Sequence, residues 1–168
     1  MARLTARPLI ACAVLLAVAC TPTAEPAAAD PAPSVRTDPG ASFTVSLTLS
    51  DAASRVVAVE HAELVVRAQW FGYPTVAAQQ RGLVDGGEAW VDLHRDSRTI
   101  GGAGEVHFRS PVFDAGRLAL VEGGRPQLRV EVDDGEATMP LLDCGAFQGS
   151  LASAVRDGVA IDCRLAAE

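Results

Sequence analysis

The residues best suited to chemistry lie together in the middle of the chain, in the stretch DLHRD. Asp92, His94 and Asp96 occupy alternate positions there, and His107 follows on the next predicted strand. Alternate strand residues share one face, so the four side chains could form a site of imidazole and carboxylate ligands for a divalent metal. The same alternation puts the intervening valine and leucine on the opposite face. We therefore favour a solvated strand face, with no metal and no cofactor.

Three further stretches partly resemble catalytic or ligand-binding motifs, but each lacks residues that its motif requires. Ser150, in FQGSLAS, has no glycine two residues later and does not match the nucleophile turn of serine hydrolases. The stretch GGAGE lacks the lysine and hydroxyl residue of a phosphate-binding loop, and EVDDGEAT lacks the spaced oxygen ligands of an EF-hand. We predict no catalytic residue and a protein that is not an enzyme.

The N-terminus has the composition of an export signal. Arg3 and Arg7 lie at its start, and an apolar run of 11 residues extends from Leu9 to Ala19. A helix needs roughly 20 apolar residues to cross the hydrocarbon core, so this run is too short to span a membrane. Its length suits the apolar region of a signal peptide.

The run ends in Ala17-Val18-Ala19-Cys20, which resembles the lipobox of bacterial lipoproteins. In that family a cysteine after a small residue is acylated and becomes the first residue of the mature protein. The resemblance implies a lipid on Cys20. It also implies sorting to the outer membrane, because Thr21 stands where Asp favours inner-membrane retention; a Gram-positive source would give a cell-surface protein. Leucine is commonest where Ala17 stands, and cleavage by ordinary signal peptidase, releasing a soluble protein, is the alternative.

The remaining cysteines predict a disulfide. If Cys12 is removed with the signal peptide and Cys20 carries lipid, Cys144 and Cys163 are left. Two cysteines in an exported domain most simply form a disulfide. The alternative, free thiols or metal ligands, lacks further cysteines to complete a thiolate site.

Charge and composition divide the chain and exclude some partners. The 14 basic residues, all arginine, stand against 21 acidic ones, a net charge of −7. This balance argues against nucleic acid and against electrostatic adhesion to anionic lipid. Residues 21–41 carry five prolines and no apolar periodicity, as a linker does. We therefore predict a signal peptide at 1–19, a lipidated cysteine and linker at 20–41, and a folded domain at 42–168.

The folded domain has the pattern of an all-β protein. The stretch SFTVSLTLS, beginning at Ser42, alternates apolar residues with serine and threonine, the period of a half-buried strand. The alternation recurs in AELVVRAQW, EAWVDLHR, EVHFR, RLALV, QLRVEV and VAIDCRL, and glycine-rich turns separate these stretches. We predict an antiparallel β-sandwich of seven or eight short strands with one disulfide, and a small β-barrel as the alternative.

Three stretches of the domain depart from this strand pattern and are predicted separately. The stretch SDAASRVVAVEHAEL suits a helix and a strand about equally, and FQGSLASAVRDG suits one or two helical turns. Asp134-Gly135, between QLRVEV and ATMPLL, is the clearest hairpin signal.

The stretch QWFGYP places Trp70, Phe71 and Tyr73 within four positions. Adjacent strand residues face opposite ways, so Trp70 and Phe71 cannot both enter one core if the strand continues. Gly72 and Pro74 indicate that the strand ends there, and we expect one or two of the rings to be partly exposed. Exposed Trp and Tyr anchor protein interfaces. The alternative is that the rings cap the bottom of the core.

The sequence is compatible with three functions. The favoured one is an exported, membrane-tethered, non-enzymatic module that binds a protein partner through Trp70, Phe71 and Tyr73. An inhibitor or immunity lipoprotein is one specific form of it. The alternatives are a structural or assembly component of the cell envelope, and a metal-dependent hydrolase using His94, Asp96 and His107.

Overall fold

The computed structural model describes residues 40–84, 89–134 and 141–166. Cys12, Cys20 and the predicted signal peptide therefore lie outside the described residues, as does the predicted linker up to residue 39. The strands are β1 (Ser42–Leu49), β2 (Leu64–Gly72), β3 (Val91–Ile100), β4 (Gly104–Arg109), β5 (Gln127–Asp133), β6 (Leu142–Cys144), β7 (Phe147–Ser150) and β8 (Val159–Leu165). The helices are α1 (Asp51–Glu60), α2 (Val76–Gln80), α3 (Ala115–Leu118) and α4 (Leu151–Asp157), with a 3₁₀ turn at Glu122–Gly124.

The strands form two sheets of four. The first sheet has the order β4-β1-β8-β6 and the second the order β3-β2-β5-β7. Strands β1 and β8 run parallel, whereas the other neighbouring strands run antiparallel. Within the described ranges no strand belongs to both sheets. The predicted β-sandwich is therefore confirmed, and the alternative of a closed barrel is wrong.

The core lies between the sheets and follows the predicted alternation. In β2, Leu64, Val66 and Ala68 are buried while Arg67 between them is exposed. Residues of β1, β4, β5 and β8 complete the core from both sheets. Burial of apolar side chains is the main free-energy gain of folding, so the period-two pattern both forms the strands and joins the two layers.

Helix α1 settles the ambiguous stretch in favour of a helix. The Ser50 side chain accepts a hydrogen bond from the Ala53 N–H at the first turn. At the other end His61 adopts a left-handed conformation with φ 51°, and its N–H donates to the Val57 carbonyl. Caps of this kind satisfy backbone groups that a helix end leaves unpaired. Ala53 and Val57 then add to the core.

One local prediction is wrong, and another falls largely outside the described residues. RLALV is not a strand, because the Asp114 side chain accepts from the Arg117 N–H and starts the short helix α3 there. The hairpin predicted at Asp134-Gly135 involves residues 135–140, which lie outside the described ranges. Strand β5 pairs with β2 and β7, whereas β6, which follows that turn, pairs with β8 in the other sheet.

The predicted disulfide between Cys144 and Cys163 is confirmed. The two residues lie opposite one another in the β6–β8 pair, and their sulfur atoms are bonded. Cys163 is buried together with Val159 and Ile161, and Asp162 and Arg164 are exposed on the other face of β8. The alternation in VAIDCRL therefore placed this cysteine correctly.

Candidate functional site

The predicted aromatic anchors are not one exposed cluster. Trp70 is 0% exposed and Phe71 1%, whereas Tyr73 is 49% exposed. Trp70 lies in the main core, where its ring contacts Phe43 and Phe108. The prediction that Trp70 and Phe71 present rings to a partner is therefore wrong, and Tyr73 alone of the three can contact one.

Phe71 is buried without entering the main core. It follows Trp70 on the opposite face of β2, as strand geometry requires. Trp90 and Tyr73 cover it there, with ring centroids 5.2 Å and 5.8 Å from that of Phe71. Trp70 and Phe71 are therefore both buried, because Tyr73 and Trp90, which lie outside the strands, cover the outer face of β2 at Phe71.

Backbone contacts hold the end of β2 and place Tyr73. The Glu122 N–H donates to the Tyr73 carbonyl at 2.8 Å, and the Thr75 N–H donates to the Leu120 carbonyl at 2.8 Å. Gly72 packs so closely that an added Cβ would lie 2.2 Å from a Val121 methyl carbon. Tyr73 is therefore held through its main chain, and its side chain faces solvent.

The residues of the alternative metal site, which the sequence pattern did not favour, are not brought together in the described ranges. His94 is paired with Trp70, on the side of the second sheet that faces the core, and Asp96 follows on that side opposite Ala68. A β-bulge between these pairs and Phe71–Asp92 puts Asp92 on the outer side. His107 lies on β4 of the other sheet, with its Nδ1 3.0 Å from Thr44 Oγ1.

This geometry corrects the sequence interpretation in one respect. The bulge adds a residue to β3, so the alternation assumed for DLHRD reverses at Leu93. Leu93 packs against the core, and His94 and Asp96 lie on the core-facing side of this edge strand, where His94 is still exposed and Asp96 is half-buried. No group of three or more His, Cys, Asp or Glu residues with the geometry of a metal site occurs in the described ranges.

Ser150 has a structural role. Its Oγ accepts from the Ser153 N–H at 3.0 Å and so caps the first turn of α4. This helix has seven residues, about two turns, within the one or two helical turns predicted for the stretch.

The outer face of the second sheet groups side chains that the sequence scattered. Gln69 lies opposite Arg95 of β3 on one side and opposite Arg129 of β5 on the other. Gln148 of β7 continues this row next to Arg129, and Arg67 lies two residues before Gln69 on the same face. We call these five residues the arginine face.

Carboxylates orient each arginine of this face. Arg67 Nη1 is 3.1 Å from an oxygen of Asp133, and Arg95 Nε is 2.7 Å from an oxygen of Asp92. Arg129 Nε donates to Glu131 at 2.9 Å. The side chains of Arg67 and Arg95 nevertheless keep 59% and 63% of their surface exposed. The guanidinium groups are thus positioned and still open to solvent.

An open groove of about 400 Å³ runs over this face. Its side-chain lining includes Arg67, Gln69, Arg95, Ser97, Arg129 and Glu131. At its edge the Gln148 Nε2 lies 3.5 Å from the Tyr73 hydroxyl. A guanidinium group carries five N–H donors in a fixed plane, and the carboxylate beside each arginine uses only part of them. The remaining donors can bind carbonyl oxygens of a ligand, and the carboxylates of Asp96 and Glu131 in the lining can accept hydrogen bonds from it.

The sequence predicts which side chains of β2 and β5 face away from the core, but not which strands lie side by side. Alternation within AELVVRAQW and QLRVEV separates Arg67 and Gln69, and likewise Arg129 and Glu131, from the apolar face. It does not say that β2 lies between β3 and β5, and this order is what brings the three arginines together.

None of the helices in the described ranges is both long and apolar enough to cross a lipid bilayer. Comparison with known proteins gave no match, whether to a family model, a curated protein or a solved structure.

Proposed function

We propose that this protein is an exported bacterial lipoprotein, held at the outer membrane or cell surface by a lipid on Cys20, whose β-sandwich binds a partner protein without catalysis. The lipobox-like sequence and the proline-rich residues 21–41 support the tether. An inhibitor or immunity role is the specific form that we favour. The observation that carries the proposed binding function is the arginine face and its groove.

Three properties of the arginine face support protein binding. Its arginines stand on strands of a hydrogen-bonded sheet, so their backbone positions are defined. The paired carboxylates restrict the side chains before binding, which lowers the entropy lost on association. Arginine is also among the residues that most often dominate interface energies. The expected partner surface presents exposed carbonyl oxygens to the arginines and hydrogen-bond donors to the carboxylates beside them.

The binding proposal predicts that the triple variant Arg67→Ala, Arg95→Ala, Arg129→Ala loses its partner. Each central interface arginine is worth on the order of 2 kcal/mol, so removing three should abolish capture. Tagged full-length protein would be purified from its native membrane with its partner, and the partner identified by mass spectrometry. The purified pair would then be titrated by calorimetry.

The control is Arg109→Ala with Arg164→Ala, two exposed arginines of the first sheet. This control should keep the partner, and unchanged circular dichroism should show that both variants are folded. Equal binding by wild type, triple variant and control would contradict the assignment to the arginine face.

If a lipid on Cys20 anchors the protein, as proposed, Cys20→Ala should abolish fatty-acid attachment. Cells grown with a labelled fatty acid should label the wild-type protein in the membrane pellet. The Cys20→Ala protein should carry no label and move to the soluble fraction or remain as uncleaved precursor. Cys12→Ala, which changes the other N-terminal cysteine, should keep the label. An unlabelled wild-type protein would refute lipidation.

A further inference from the structure

Strand β3 is an edge strand with an unusual backbone arrangement. It has ten residues and lies at one end of the second sheet, where β2 is its neighbour. The outer edge of such a strand carries unpaired N–H and C=O groups, which can pair with another chain. In β3 these groups at Ser97 are occupied by side chains.

Two flanking residues supply the occupying groups. The Ser97 N–H donates to Asp96 Oδ1 at 2.8 Å, and Arg98 Nη1 donates to the Ser97 carbonyl at 2.9 Å. Asp96 and Arg98 are in turn joined by an ion pair of 2.5 Å. The three contacts form a closed ring around one backbone position, which we call the edge clamp.

The geometry of an antiparallel strand identifies what would pair there. The N–H and C=O of one residue point to the same side, so two residues directly opposite one another can exchange both hydrogen bonds. Two copies of Ser97 related by a two-fold axis meet this condition, and such an interface is self-complementary.

The side chains of β3 are compatible with that arrangement. A two-fold axis at Ser97 places Asp96 opposite Arg98 of the other copy and Arg95 opposite Thr99. No like charges oppose one another between residues 95 and 99 in this register. The side chains around Ser97 therefore do not repel a second copy, and the edge clamp is what occupies the groups needed for pairing.

We propose that the free edge of β3 is a strand-pairing surface for a second copy of this chain, and that the edge clamp of Asp96 and Arg98 keeps it closed. The inference does not rest on the proposed function, because it concerns the backbone groups of Ser97 at the edge of the second sheet, although Asp96 and Ser97 also line the groove over the arginine face.

The test is the molar mass of the purified full-length chain in detergent, measured by light scattering after size-exclusion chromatography. Wild type should be monomeric, and Asp96→Ala with Arg98→Ala should show about a twofold higher protein mass at the same concentration, as pairing of two copies requires. Adding Ser97→Pro to that variant should restore the monomer. Proline removes the N–H donor and is tolerated on an edge strand whose N–H faces solvent.

The control Arg156→Ala with Asp157→Ala removes an exposed ion pair of α4 with the same charges, and it should remain monomeric. Circular dichroism should show that all variants are folded. A monomeric clamp variant would overturn the proposal. So would a dimer that survives Ser97→Pro, which would place the contact elsewhere, or a wild type that is already dimeric.

Discussion

Replacing Trp70 with Ala is expected to lower the free energy of unfolding by about 3 to 5 kcal/mol, the usual cost of deleting a large buried ring. Trp70 is fully buried, and its ring centroid lies 6.0 Å from that of Phe43 and 6.3 Å from that of Phe108. The substitution would remove the second sheet's ring from a cluster whose other two rings, Phe43 and Phe108, come from the first sheet. Urea unfolding of the full-length chain, followed by far-ultraviolet circular dichroism, measures the loss.

Two other variants make this result specific. Tyr73→Ala removes the half-exposed ring of the same stretch and should cost about 1 kcal/mol, because its contact with the Phe71 ring is lost. Trp70→Phe should cost about 1 to 2 kcal/mol, because Trp70 Nε1 is buried without a hydrogen-bond partner in the described ranges and no bond is lost with it. If Trp70→Ala unfolded at the same urea concentration as Tyr73→Ala, the burial of Trp70 would be refuted.

Removing the disulfide is expected to lower the free energy of unfolding by about 3 kcal/mol, the chain-entropy value for a loop of this size. Cys144 and Cys163 are separated by 19 positions. Strand β6 has only three residues and pairs with β8 alone, so the covalent bond joins the shortest strand to the sheet. The comparison is urea unfolding of wild type and of Cys144→Ser with Cys163→Ser.

A reductant supplies the control for the disulfide. Reduced wild type should unfold at nearly the same urea concentration as the double variant, and the double variant should not respond to reductant. Hydrogen bonds beside the disulfide, including Gly145 N–H to Asp162 and Ala166 N–H to Leu141, both 2.9 Å, should let the reduced chain keep its fold without denaturant. An unchanged transition on reduction would contradict a stabilising role.

The outer face and the outer edge of β3 both bear on recognition, in different ways. Arg95 points to the outer face and contributes to the arginine face, whereas Asp96 and Arg98 close the edge around Ser97. The arginine side chain on the outer face of β3 is exposed to solvent, whereas the backbone N–H and C=O of Ser97 at its edge are occupied by side chains. This arrangement favours binding through side chains over the addition of another strand. This division makes the two proposals separable, because the triple arginine variant leaves the edge clamp intact.

Several features of the fold could be predicted from residue order because they depend on local physics. The alternation beginning at Ser42 gave a strand, and the alternation in VAIDCRL turned Cys163 inward. The sequence of Asp51–Glu60 does not decide between helix and strand, because its valine-rich middle suits both states; the cap at Ser50 favours the helix. For RLALV the cap at Asp114 outweighed a short alternating pattern.

The sequence by itself determined the β-sandwich class, the buried faces of β1, β2 and β8, and the Cys144–Cys163 pair. These follow from a period of two and from the small number of cysteines. The tertiary structure alone decided where Phe71 is buried, where β3 changes face and which arginines share a surface. Each of these depends on which strand lies beside which and on a single bulge, and contacts between residues far apart in the chain set both.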